Sequence, residues 1–139
     1  MQIRPFRDSD EAAVIALCEA AGLTRSWNDP RKDIERKRAV QRDTFLVGTV
    51  DDVVMASIMI GYDGHRGWIN YLAVSPAHRL RGHARTLMRE AERRLAAVGC
   101  PKVNLQVRTG NAQVLAFYEA IGYGQDDVVS FGKRLIADE

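Results

Sequence analysis

The stretch YLAVSPAHRLRGHARTLM, residues 71 to 88, decides the fold. It opens as an apolar, strand-like run, breaks at Ser75-Pro76, and passes through a basic turn that contains Gly82. It then turns helical, with Ala84, Leu87, Met88, Ala91, Leu95 and Val98 on one stripe and Arg85, Arg89, Glu92 and Arg93 opposite, until Gly99 and Pro101 end it. The first amides of a helix have no acceptor inside it and lie at the positive end of its macrodipole, so an anion placed there meets donors that are free anyway. Gly82 lets the main chain approach phosphate oxygens, small Ala84 keeps the helix start open, and Arg79, Arg81 and Arg85 add charge at the rim. A pyrophosphate cradle and a plain strand-to-helix connection both satisfy this spacing.

Working upstream, WINYLAV (68–74) is the strand that feeds the turn, after a polar loop GYDGHRG (61–67). Phe45 to Val50 and Val53 to Ile60 are β-branched-rich runs around Asp51-Asp52, which predicts a hairpin. QIRPF (2–6) reads as a strand with Pro5 at an edge or end. A helix capped near Asp8 or Ser9 carries Ala13, Val14, Leu17 and Ala21 to a stop at Gly22. Asp29-Pro30 starts a second, thinly buried helix with Ile34 and Val40 as its apolar anchors. Downstream, Val103, Leu105 and Val107 alternate as a half-buried strand. Asn111 can cap a helix that turns Val114, Leu115, Phe117, Tyr118 and Ile121 inward, and Val128 to Ile136 reads as a last strand. The order β-α-α-β-β-β-α-β-α-β predicts an α/β domain with a mixed sheet.

At 139 residues the chain is expected to be a single domain, 1–139, and 46% hydrophobic with 27% charged residues excludes bulk disorder. A net charge of +2 does not by itself nominate a polyanionic partner. The run Arg31 to Arg42 holds six cations, but Asp33 and Glu35 interrupt it and no aromatic residue interleaves it, so a solvated helix with i,i+4 pairing is expected and no nucleic-acid partner. Cys18 and Cys100 have neither CxxC spacing nor a His cluster, which predicts no metal and no disulfide scaffold, and fits a reducing cytoplasm. No apolar run approaches 18 residues and MQIRPFRDSD lacks a signal-peptide core, so cytoplasmic localisation without membrane contact is expected.

Arg79-Leu80-Arg81-Gly82-His83-Ala84 resembles the R/Q-x-x-G-x-G/A acetyl-CoA signature of the GNAT acetyltransferases, with Ala84 in place of the last glycine. Asn111, Ala116-Phe117-Tyr118 and Ile121-Gly122-Tyr123 resemble that family's second conserved segment at the expected distance downstream. SWNDPRKDIERK (26–37) and GYDGHRG are similar to segments of a small bacterial GNAT subgroup with undefined acceptors. The resemblance implies a mixed, mostly antiparallel central sheet flanked by helices, and acetyl-CoA as co-substrate. It implies that the backbone around Arg79, Arg81, Gly82, His83, Ala84 and Arg85 holds the pyrophosphate. The main chain at Leu72, Ala73 and Val74 would pair with the pantetheine amides, which Asn111 also contacts. The Tyr118 hydroxyl would protonate the departing thiolate. Read from the residues alone, Asn111 is also explained as a helix cap and Tyr118 as core.

The expected reaction is direct attack by a primary amine of a small molecule or protein N-terminus. The rival readings are a non-catalytic acyl-CoA sensor and a nucleic-acid module. The motifs fix no general base, so Asp29, Asp33, Glu35, Asp63 and His65 are candidates near the acceptor, and Trp27 can wall its pocket. The resemblance also admits a homodimer.

Overall fold

Period-two alternation explains how one sheet serves two helical layers. Phe45, Val47 and Met59 belong to a cluster with Phe6, Val14, Cys18 and Ile34, while Leu46, Ile58 and Ile60 belong to a second cluster with Leu87, Met88, Ala91 and Leu95. The sheet therefore separates two cores, and residues 55 to 60 are buried throughout.

The computed structural model describes residues 1–138. In chain order the elements are β1 (Gln2–Pro5), α1 (Glu11–Ala20), α2 (Pro30–Ala39), β2 (Phe45–Val50), β3 (Val53–Tyr62), β4 (Gly67–Val74), α3 (His83–Ala97), β5 (Val103–Asn104) and α4 (Ala112–Ala120). The five strands lie in the order β1-β2-β3-β4-β5; the first three pairings are antiparallel and β4-β5 is parallel. This is the mixed, mostly antiparallel sheet with flanking helices that the resemblance implies.

Two features of this sheet make the site. The β3–β4 register shifts between Ser57↔Ala73 and Met59↔Asn70, so β4 carries one extra residue there, and Tyr71 at this bulge has φ +51°. β4 also meets β5 only at Gly67↔Val103 and Trp68↔Asn104, after which the two parallel strands part. The expected strand over Val103, Leu105 and Val107 is thus shorter than its alternation suggests, because β4 diverges from it.

The second helix is thinly buried as expected, with only Pro30 and Ile34 inside; Val40, expected as its other anchor, lies past the helix end and is exposed. Its cations do not rely on i,i+4 partners. Arg38 pairs with Asp8 and Glu11, and Arg36 pairs with Asp33 and with Asp138 at the far end of the chain. The strand expected over Val128–Ile136 is not formed. Its apolar residues (Val128, Val129, Phe131, Leu135, Ile136) do not alternate, and they are exposed. This tail touches the chain through Lys102–Asp126, Gln106–Ser130 and the docked Asp138. Among the described residues no helix is long and apolar enough to cross a membrane.

Candidate active site

Gly82 takes φ +79° as the residue before α3, a left-handed conformation that a side chain would strain. With no side chain to cap the helix, its first amides stay open. From Leu80 through Arg85 no backbone N–H has an acceptor among the described residues, and the ladder starts with Thr86 donating to the Gly82 carbonyl at 3.0 Å. An ideal Cβ on Gly82 meets nothing within 4 Å, so the approach to these donors is clear. Val74, Arg79, Gly82, His83, Ala84 and Arg85 line a cavity of about 390 Å³ beside α4; Arg81 is exposed and lines neither cavity of the site. Burial holds the His83 imidazole below its usual range.

The divergence of β4 and β5 opens a larger cavity of about 940 Å³. Leu72, Ala73 and Val74 form one wall on the β5 side of β4, where no strand pairs with them. Leu105 to Arg108 form the facing wall, and Asn111, Phe117 and Tyr118 close it from α4. The Asn111 side chain accepts from the Val114 amide at 3.3 Å, so the capping reading holds; its carboxamide NH2 has no partner among the described residues. Tyr118 packs edge-on against Phe117 and Tyr123, its hydroxyl makes no hydrogen bond among the described residues, and burial pushes its phenol up to about 12.

At the other end the same cavity is lined by Arg25, Asn28, Asp33, Arg36, Lys37 and Tyr71. The bulge aims the Tyr71 hydroxyl at Asp33, to which it donates at 2.6 Å, and Asn28 Nδ2 donates both to that oxygen of Asp33 (2.9 Å) and to the Tyr71 hydroxyl (2.6 Å). The buried Ser57 hydroxyl ties down the Tyr71 carbonyl at 3.0 Å. Arg36 donates to the other Asp33 oxygen at 2.8 Å. Burial, then the bond to Asp33, pushes the Tyr71 phenol up, so it stays a donor.

Of the residues expected near the acceptor, Asp33 is brought to this end and several others are not. Asp29 caps α2 through the Arg31 amide at 2.9 Å. Asp63 binds the His65 and Arg66 amides and the Trp68 indole, organising its own loop; neither Asp63 nor His65 lines a cavity of the site. They are assigned to loop and cap geometry instead. Trp27 lines neither cavity, so it does not wall the pocket as expected; it is half exposed, with the Arg108 guanidinium 5.5 Å above its ring. Nothing in the sequence singles out Tyr71 or Asn28. Tyr71 reads there as one residue of a strand, and its direction depends on a bulge that the β3 register creates.

A family model described as the Acetyltransferase (GNAT) family matches residues 13–123, a span that includes the parting of β4 from β5 and the uncapped start of α3. The chain belongs to the GNAT acetyltransferase family. Three solved structures illustrate the likeness of this GNAT chain. Ard1 from Thermoplasma volcanium is 25% identical with a TM-score of 0.77, over 87% of this chain and 80% of that one. The PaiA N-acetyltransferase of Thermoplasma acidophilum, solved with coenzyme A, is 19% identical with a TM-score of 0.78 over 92% of each. An aminoglycoside 6'-N-acetyltransferase from Acinetobacter haemolyticus is 20% identical with a TM-score of 0.73, covering 98% of this chain and 100% of that one. The GNAT fold is thereby shown.

Proposed function

We propose that this GNAT protein transfers an acetyl group from acetyl-CoA to a primary amine by direct attack. The observation that carries the reading is the join of two features: amides from Leu80 to Arg85 that have no acceptor among the described residues, and two cavities, sharing Val74, Arg79, Ala84 and Phe117 in their linings, that extend from those amides along β4 to Tyr118. The residues fit the donor. The open amides suit a pyrophosphate, the unpaired edge of β4 at Leu72–Val74 suits an amide-bearing arm, and Arg79, Arg81 and Arg85 supply charge at the rim. When bound, acetyl-CoA supplies an activated acyl carbon and a thiolate leaving group.

The chain's own groups do the rest. The Asn111 NH2 orients the arm, and the Tyr118 phenol, protonated at any physiological pH, donates its proton to the leaving sulfur; the proton that the amine loses on becoming an amide restores the phenol. Asp33, fixed by Tyr71, Asn28 and Arg36, faces the incoming amine. The amine must be neutral to attack. Ordinary amine pKa values of ~7.8 and ~10.4 mean that about one in ten α-amino groups meets this condition at pH 7, against roughly one in a few thousand lysine side chains.

Calorimetric titration of acetyl-CoA, desulfo-CoA and ATP into the wild type and a Gly82→Glu variant tests the donor site. The expected result is acetyl-CoA binding that ATP does not reproduce and that the variant loses, because a carboxylate at the helix start repels the pyrophosphate. A folded wild type that binds no acetyl-CoA overturns the reading.

A further inference from the structure

The acceptor end of the cavity has a charge pattern that the transfer chemistry alone does not require. Its lining holds one carboxylate, Asp33, and four cations, Arg25, Arg36, Lys37 and Arg108. Arg36 is spent between Asp33 and Asp138, at 2.8 Å from each. The Lys37 amine is spent on the Ile60 carbonyl and the Thr44 hydroxyl. The other two are held without any anion. Arg25 uses one guanidinium nitrogen on the Gly22 and Thr24 carbonyls, at 2.6 and 2.9 Å, which pins the side chain and leaves its other donors open. Arg108 is held over the Trp27 ring. Neither is within ion-pair distance of a carboxylate among the described residues.

Trp27 lies between Arg25 and Asn28, whose backbones bridge in one tight turn, so both guanidinium groups and the Asn28–Asp33–Tyr71 network belong to one corner of the cavity. Asp33 can still take a cation. One of its oxygens accepts two hydrogen bonds, from Asn28 and Tyr71, but among the described residues the other accepts only the one from Arg36 and keeps a free lone pair.

We infer that the acceptor is a primary amine that also carries an anionic group, with Asp33 receiving the ammonium and Arg25 and Arg108 receiving the anion. The Arg25 guanidinium, pinned by two carbonyls, loses little freedom on pairing with a carboxylate, and Arg108, exposed above the Trp27 ring, adds a second positive charge beside it. The same two charges repel a polycation. The inference rests on the acetyl-transfer reading. Its chemistry is shared by a free amino acid and by a peptide N-terminus followed by acidic residues.

The test is titration of matched probes into CoA-saturated protein: β-alanine against β-alaninamide, the amidated peptide Ala-Asp-Asp-Ala against Ala-Asn-Asn-Ala, and spermidine as a polycation. In one arm the anionic member is expected to bind at least tenfold more tightly than its neutral partner, and which arm does so identifies the source. The double variant Arg25→Gln/Arg108→Gln should erase that ratio, and Arg108→Glu should move the preference toward spermidine. Equal affinities in both arms, no binding in either, or tighter binding of spermidine overturns the inference. Because this readout is binding beside CoA, such a result leaves acetyl transfer standing; loss of acetyl-CoA binding itself defeats transfer before any amine is added.

Discussion

A phenol that stays protonated to about 12 in a half-dry cleft is a proton donor at every pH an enzyme normally meets. Replacing Tyr118 by Phe keeps the ring packed against Phe117 and Tyr123 and removes only that proton. The expected outcome in a CoA-release assay is a kcat lower by on the order of a hundredfold with little change in KM for acetyl-CoA. An unchanged kcat would remove Tyr118 from the chemistry. Gly82 and Ala84 are legible in the sequence because a helix start and its glycine are local signals. Asn111 carries two meanings there: its oxygen caps α4, and its place in the cavity lining is what the proposed contact with the arm rests on. Tyr71 carries no such signal. Its φ of +51° is unfavourable for a residue with a side chain, and holding it costs roughly 1–3 kcal/mol that the Ser57, Asn28 and Asp33 bonds offset.

Among the elements, α3 packs closely on the sheet where β4 and β5 pair. Gly67 sits where the two strands pair, and a Cβ there comes 2.7 Å from a methyl of buried Leu95 and 3.1 Å from the Cys100 sulfur. Gly67→Ala is expected to destabilise the protein by about 1–3 kcal/mol in chemical denaturation, and adding Leu95→Val should recover part of the loss. The α3 stripe and the β2–β3 hairpin are legible because their periodicity is intact. The tail and β5 depart from expectation for one reason: a strand needs a neighbour, and apolar residues in a row do not supply one. Val107 alternates correctly but has lost β4, whereas Val128 to Ile136 neither alternates nor pairs.

At the scale of the whole molecule, ion pairs act within single segments and, between Arg36 and Asp138, across most of the chain. Arg4 holds buried Asp10 in a two-bond pair and keeps its carboxyl below the usual range; Arg36 and the Asp29 amide hold Asp138 down to about 2, and Arg93 with Arg94 hold Glu90 down to about 2. Each folded value lies below the unfolded value of about 4, so the unfolded chain binds more protons in that interval. The stability these groups add is complete above the unfolded value and is lost as the pH falls through the folded one. Scanning calorimetry is expected to show a steady Tm down to about pH 5 and a fall between about 4 and 2, flattened in an Asp10→Asn/Asp138→Asn variant. The double use of Arg36 carries a thermodynamic corollary. One guanidinium serves Asp33 in the cleft and Asp138 at the end of the tail, so a cation that draws on Asp33 frees Arg36 toward Asp138. Reciprocity then requires that whatever tightens the tail against α2 alters, by the same factor, the cleft's affinity for its guest.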